Sequence, residues 1–84
     1  MDERALARKL NKNSRSALDQ AVARFTPYVS AVILRALAGR ACREDVEELC
    51  ADVFVALWTH AGELDPDQGL RPWLAAVARN KAVD

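Results

Sequence analysis

From Val46 to Trp58 the large apolar residues fall at steps of three and four: Val46, Leu49, Cys50, Val53, Phe54, Leu57 and Trp58. That spacing matches the turn of an α-helix and gathers all seven on one side. Glu44, Glu47, Glu48, Ala51, Asp52 and Val55 fall on the other side. Such a stripe must be buried against another apolar surface, and the chain supplies two. Leu18, Val22, Phe25, Val29, Val32, Ile33, Ala36 and Leu37 form one, and Trp73, Leu74, Val77 and Ala78 a shorter one. No segment alternates apolar and polar residues as a strand would, and there is no internal repeat. The expected fold is all-α: a compact bundle of three main helices. A short or frayed helix precedes it, carrying Ala5, Leu6 and Leu10.

Local signals predict where these helices start and stop. Asn11-Lys12-Asn13-Ser14 reads as a polar joint, and Ser16 with Asp19 resembles a capping box opening the long helix. Pro27 lacks an N–H, so that helix is expected to kink there or to restart with Thr26 as cap. Gly39 is placed to terminate it in a left-handed conformation. Asp45-Val46-Glu47-Glu48 reads as the capping box of the acidic helix. Residues 61–69, AGELDPDQG, are expected to be a loop, and Pro72 suits the first turn of the last helix.

With 84 residues the chain is one small domain. A core of this size supplies only about 3–5 kcal/mol, so a partner or a longer parent chain is expected. No apolar run is long enough to span a membrane, and the N-terminus lacks the apolar stretch of a signal peptide. Two cysteines, Cys42 and Cys50, do not make a disulfide framework and fit a reducing compartment, hence a cytoplasmic protein. Twelve basic and twelve acidic residues balance overall but not locally. Between Glu44 and Asp67 lie eight acids and no Lys or Arg, a charge of −8; the remainder carries +8. The plain reading is a solvated acidic helix face. The sharper one is two surfaces, acidic for a basic protein and basic for nucleic acid.

No catalytic or metal-binding constellation can be assembled. His60 is the single histidine, read as a helix-end residue, with no Ser or Cys placed to form a dyad. Cys42 and Cys50 are eight apart without a CxxC, so a zinc site would lack ligands and spacing. The acids around Glu47 lie on a helix rather than in a calcium-binding loop. No cofactor and no enzymatic activity are expected. Trp58 and Trp73 sit on apolar stripes and read as core. Arg79, Asn80 and Lys81, at the end of the last helix, join two cations to an amide. That set suits phosphate positioning and base-edge contact, and equally the negative end of a helix.

Two segments together resemble region 2 of bacterial sigma factors of the extracytoplasmic-function group. Residues 45–58, DVEELCADVFVALW, are similar to its D-A-E-D-L-V-Q-E-V-F-x-x-L-W helix. Leu64-Asp65 with residues 71–84, RPWLAAVARNKAVD, is similar to its F-D…F-R-x-W-L-x-x-I-A-R-N-x-x-x-D string, and FTPYV at 25–29 fits the helix before them. The resemblance covers residues 16–84, leaving 1–15 as a basic N-terminal segment.

The resemblance implies a promoter-recognition module that is not an enzyme. Its acidic helix would dock on the clamp helices of the largest subunit of core RNA polymerase, through Glu47, Glu48, Ala51, Asp52 and Val55. Its loop and last helix would hold the non-template strand of the minus-ten promoter element. Leu64 and Asp65 match the specificity loop, Asn80 a base-pocket position, and Arg71, Arg79 and Lys81 supply cations to the DNA. An anti-sigma factor is a further implied partner. Ala51 replaces the usual glutamine and Leu64 the usual loop aromatic. The chain stops at Asp84, ahead of any region 4 helix-turn-helix, so a fragment of a longer sigma factor or an isolated domain is expected. The alternative is a sigma-like interaction module that binds polymerase or a regulator without directing initiation.

Overall fold

The computed structural model describes residues 2–38, 40 and 42–83. Four α-helices follow one another: α1 (Glu3–Asn11), α2 (Arg15–Leu37), α3 (Arg43–Thr59) and α4 (Arg71–Val83). Two short 3₁₀ turns, Ala61–Glu63 and Pro66–Gln68, bridge α3 and α4. No strand occurs among the described residues. Helices α2, α3 and α4 pack pairwise into the expected bundle, and α1 lies against α2 and both 3₁₀ turns. The molecule measures 37 × 20 × 20 Å. Its long dimension is close to that of α2, whose 23 residues span about 34 Å.

The core follows the stripes. Val46, Cys50, Val53, Phe54 and Leu57 of α3 are buried, as are Leu74, Ala75 and Ala78 of α4. On α2 the buried positions are Ala17, Ala21, Phe25, Val29 and Ile33, a strict four-residue step. The expected stripe is therefore one residue off at its start. Two alanines face the core, while Val22 is 37% exposed and Leu18 half-buried. Among the described residues no polar or charged residue is buried, so the charged groups all sit on the surface.

The N-terminal helix is short, as expected, but firmly packed. Leu6, Ala7 and Leu10 are essentially inaccessible and belong to the common core. Asp2 caps its start by accepting the Ala5 N–H at 2.7 Å. At its end Asn13 takes φ 60°, the Ser14 N–H donates to the Lys9 carbonyl and the Asn13 N–H to that of Leu10. That pair of bonds is a Schellman motif, with Asn at the left-handed position it tolerates better than most residues.

Three predicted boundaries move. The cap of α2 is Ser14, whose Oγ accepts the Ala17 N–H at 3.2 Å. Ser16 lies inside the helix, accepting instead from Gln20 Nε2 at 3.4 Å. The Schellman turn leaves the chain facing a new direction at Ser14, so the helix begins there. Helix α3 starts at Arg43, with Cys42 as N-cap. Asp45 is the third residue of the helix, and its carboxylate accepts the Cys42 N–H at 3.4 Å. Finally, α2 runs unbroken through Pro27, whose ring is exposed, and Thr26 is no restart: its Oγ1 donates to the Val22 carbonyl at 2.5 Å. An interior proline costs about 3 kcal/mol, while full burial of each of Phe25, Val29 and Ile33 contributes about 1.5–3 kcal/mol. Burial on both sides of Pro27 outweighs the defect. The predicted terminator Gly39 lies outside the described residues; Ala38 before it takes φ 54° as the helix C-cap.

The start of α4 is held from the other end of the chain. Glu3 Oε1 accepts the Leu70 N–H at 2.9 Å and the Arg71 N–H at 3.2 Å, while Oε2 pairs with the Arg71 guanidinium. Pro72 has no N–H to offer, and these two are among the first-turn amides that need an acceptor from outside the helix. Gly69, at φ 72°, lets the chain pass close to Glu3: a Cβ there would lie 3.0 Å from Glu3 Oε1. Burial alone would raise the Glu3 carboxyl pKa. The Leu70 and Arg71 amides, and the charges of Arg71 and Arg24, more than reverse this and hold it below its ordinary 4.5.

Two outcomes follow for stability. Ser14→Ala should cost about 1 kcal/mol in urea unfolding and Ser16→Ala much less; equal costs would contradict the cap assignment. Because the Glu3 pKa is depressed on folding, its contribution is complete above pH 4.5 and is lost as pH falls through the folded-state value. The gap in unfolding midpoint between wild type and Glu3→Gln should therefore be wide at neutral pH and close in acid. A gap independent of pH would contradict the clasp.

Candidate nucleic-acid and protein interfaces

The exposed side of α3 carries Glu44, Glu47, Glu48, Ala51, Asp52 and Val55, all open to solvent. This is the arrangement its 3.6-residue spacing predicts. Val55 is 65% exposed, a bare apolar spot beside the carboxylates. Arg43 Nε lies 3.1 Å from Glu47 Oε1, one helical turn along, and both side chains remain mostly in water. Hydrogen bonds from its own backbone N–H and from Cys42 hold the Glu44 carboxyl below its ordinary value. Next to this face, Leu18 and Val22 of α2 line an apolar groove with Ala51, Phe54, Val55 and Trp58.

The acidic block does not continue as one surface into the loop. There the acids serve local structure. Glu63 Oε2 lies 2.9 Å from Nδ1 of His60, the C-cap of α3. Asp65 Oδ1 accepts the Asp67 N–H at 3.0 Å, an Asx turn opening the second 3₁₀ turn. Asp67 pairs with Arg4 at 3.6 Å. What remains for a protein partner is the face of α3.

Leu64, expected to stand in a reading loop, is 7% exposed, and its side chain belongs to the core. Its carbonyl and that of Ala61 both accept from Asn11 Nδ2, at 3.1 and 2.7 Å. Asp65 beside it is exposed. Arg71 is half-exposed but committed on one side: it pairs with Glu3 and lies over the rings of Phe25 and Tyr28, at 5.5 and 6.0 Å.

Arg79, Asn80 and Lys81 are all exposed. Consecutive helical residues point about 100° apart, so Arg79 and Lys81 take opposite flanks with Asn80 between them. Arg79 lines a cleft with Val32, Arg35 and Ala36 of α2. Lys81 instead lines a depression with Asp45 and Glu48 of α3, Leu37 of α2 and Arg40 in the connection after it. The trio thus divides: Arg79 joins a second cation, and Lys81 sits beside carboxylates. Sequence reasoning missed Arg35, whose spacing from Val32 and Ala36 places it at the α2–α4 junction only once the bundle is assembled. It also missed Asn11 and Glu3, whose bonds to partners 50 and 67 residues away have no local signature. Cys50 is buried and Cys42 exposed, both free thiols, and no metal-binding cluster occurs among the described residues. Among the described residues no helix is long and apolar enough to cross a membrane.

Against this geometry the comparisons are consistent. Residues 21–84 match the family Sigma-70 region 2. The chain is 30% identical over 82 residues to the RNA polymerase sigma factor NccH of Alcaligenes xylosoxydans xylosoxydans, covering 98% of this chain and 42% of that protein. It is 32% identical over 82 residues to the sigma factor CnrH of Cupriavidus metallidurans, covering 98% of this chain and 41% of that one. The chain thus spans about two fifths of the length of these relatives. Its fold matches an engineered region 2 of sigmaE, solved by NMR in complex with GTAAAA, with a TM-score of 0.86 and 19% identity. That match covers 99% of this chain and 83% of the other. The family is one of binding domains rather than enzymes, in keeping with the expectation drawn from the residues. The resemblance read from the acidic helix and the last helix is borne out: the chain belongs to the Sigma-70 region 2 family of RNA polymerase sigma factors.

Proposed function

We propose that this domain is region 2 of a cytoplasmic, extracytoplasmic-function sigma factor in a bacterium. It docks on core RNA polymerase and holds the melted minus-ten promoter element. The polymerase surface is the exposed face of α3, with Glu47, Glu48 and Asp52 pairing with basic groups of the clamp helices and Ala51 and Val55 filling between them. The DNA surface is the loop around Asp65 with Arg71, Arg79, Asn80 and Lys81. Leu64 contributes backbone and shape rather than a stacking ring. One observation carries the proposal: the exposed carboxylates of α3 and the α2–α4 cleft with its Arg35–Arg79 pair are different surfaces of one bundle, which meet at Lys81. An anti-sigma factor would act by covering the α3 face. The buried Leu64 side chain favours a second reading, an interaction module that binds polymerase or a regulator without reading promoter sequence.

Cations positioned on a strand act through phosphates and an amide through base edges, so variants should separate the two roles. Arg79→Ala should weaken binding of all single-stranded oligonucleotides alike and lower the salt slope by about 0.7. Asn80→Ala should leave that slope and reduce the preference between sequences. Identical behaviour of the two would count against the division. Reversing charge in Glu48→Lys/Asp52→Lys should abolish capture of core polymerase while circular dichroism stays unchanged; retained capture would refute the α3 surface.

A further inference from the structure

The segment joining α3 to α4 is exposed over most of its length, yet side chains of α1 hold it at two points. We infer that α1 is a strut that sets the conformation of the DNA-reading loop, with Asn11 and Glu3 as positioning residues; this rests on the DNA surface proposed above.

At one end the Asn11 side-chain amide has two N–H donors, and both go to the loop, to the carbonyls of Ala61 and Leu64. At the other end Glu3 accepts the Leu70 and Arg71 amides. The two anchors bracket residues 65–69, the stretch that includes exposed Asp65 and the Gly69 turn. They lie eight residues apart on one helix, about 12 Å. Free of them, the six steps from Leu64 to Leu70 could extend to about 20 Å. The strut itself is fixed by burial of Leu6, Ala7 and Leu10 and by the Schellman turn after Asn11, so its spacing does not drift. The Arg4–Asp67 pair, with both side chains more than half exposed, adds little.

A loop held in one shape before the strand arrives loses little conformational freedom on binding. Contacts that depend on the shape of the loop gain from this, whereas the attraction of phosphates to cations on α4 does not. The anchors therefore act on sequence discrimination rather than on general affinity.

The test uses the full chain and two fluorescent probes. One is the single-stranded decamer that wild type enriches most from a randomised pool; the other is oligothymidylate of equal length. Variants Asn11→Ala, Asn11→Asp (same size, but unable to donate) and Glu3→Gln are compared at a temperature where circular dichroism shows each folded. Losing the anchoring bonds should raise Kd for the enriched decamer about five- to tenfold and for oligothymidylate by less than about twofold. Amide hydrogen exchange across residues 61–70 should quicken in the same variants. If Asn11→Ala does not fold, Glu3→Gln, which keeps the side chain's size but loses the Arg71 ion pair and the charge that strengthens the Leu70 and Arg71 bonds, carries the comparison. Equal weakening of both probes, or no change in either, would overturn the positioning role while leaving the DNA surface intact. If wild type enriches no sequence at all, the DNA-reading proposal fails first and this one with it.

Discussion

The Glu3 carboxylate ties the beginning of the chain to the beginning of its last helix, and the proposed DNA-facing surface depends on that junction. An N-terminus of a helix presents unpaired N–H groups and a partial positive charge, which an anion satisfies on both counts. Here the anion comes from 67 residues away, and the same carboxylate also fixes Arg71 over Phe25 and Tyr28. Gly69 makes the approach sterically feasible. Helix α4 thereby gains a fixed origin, and the exposed end carrying Arg79, Asn80 and Lys81 is placed relative to the loop that precedes it. A helix of 13 residues is marginal in isolation, so such outside support decides its position.

The remaining organisation follows from keeping charge out of the core. With no polar or charged residue buried among those described, the core is held by apolar packing, and hydrogen bonds and ion pairs act at its edge and on the surface. There the net charge of zero resolves into distinct territories. The exposed side of α3 is acidic, the α2–α4 cleft is cationic through Arg35 and Arg79, and the loop carboxylates are consumed in turns and local pairs. Lys81 lies where the acidic and basic territories meet, beside Asp45 and Glu48.

Much of this was legible in the sequence because it is local and periodic. The stripe from Val46 to Trp58 fixed the buried side of α3 and its acidic exterior, and Pro72 marked the start of α4. Two motifs in the right order sufficed to identify the family. The start of α2 was misread because large apolar residues outweigh alanine in any stripe, whereas the bundle buries Ala17 and Ala21 in register with Phe25. The caps were misread because Ser14 gains its role from a turn that only the folded α1 creates. The packing of α1 was not legible: its anchors are side chain to backbone bonds across 50 and 67 residues, and Asn and Glu in a helix carry no mark of a distant partner. The acidic block likewise looks uniform in the sequence, although its α3 half forms one continuous exposed face while its loop half is bent into turns and ion pairs.

One bundle carries two working surfaces, the α3 face and the loop with the end of α4. Two-dimensional NMR of the labelled chain, titrated in turn with a single-stranded minus-ten oligonucleotide and with a clamp-helix fragment of the polymerase, tests it most directly. Shifts are expected at Asp65, Arg71 and residues 79–81 with the oligonucleotide, and along the exposed side of α3 from Glu47 to Val55 with the fragment. Shifts from both ligands on the same residues, or an oligonucleotide response confined to α3, would contradict it.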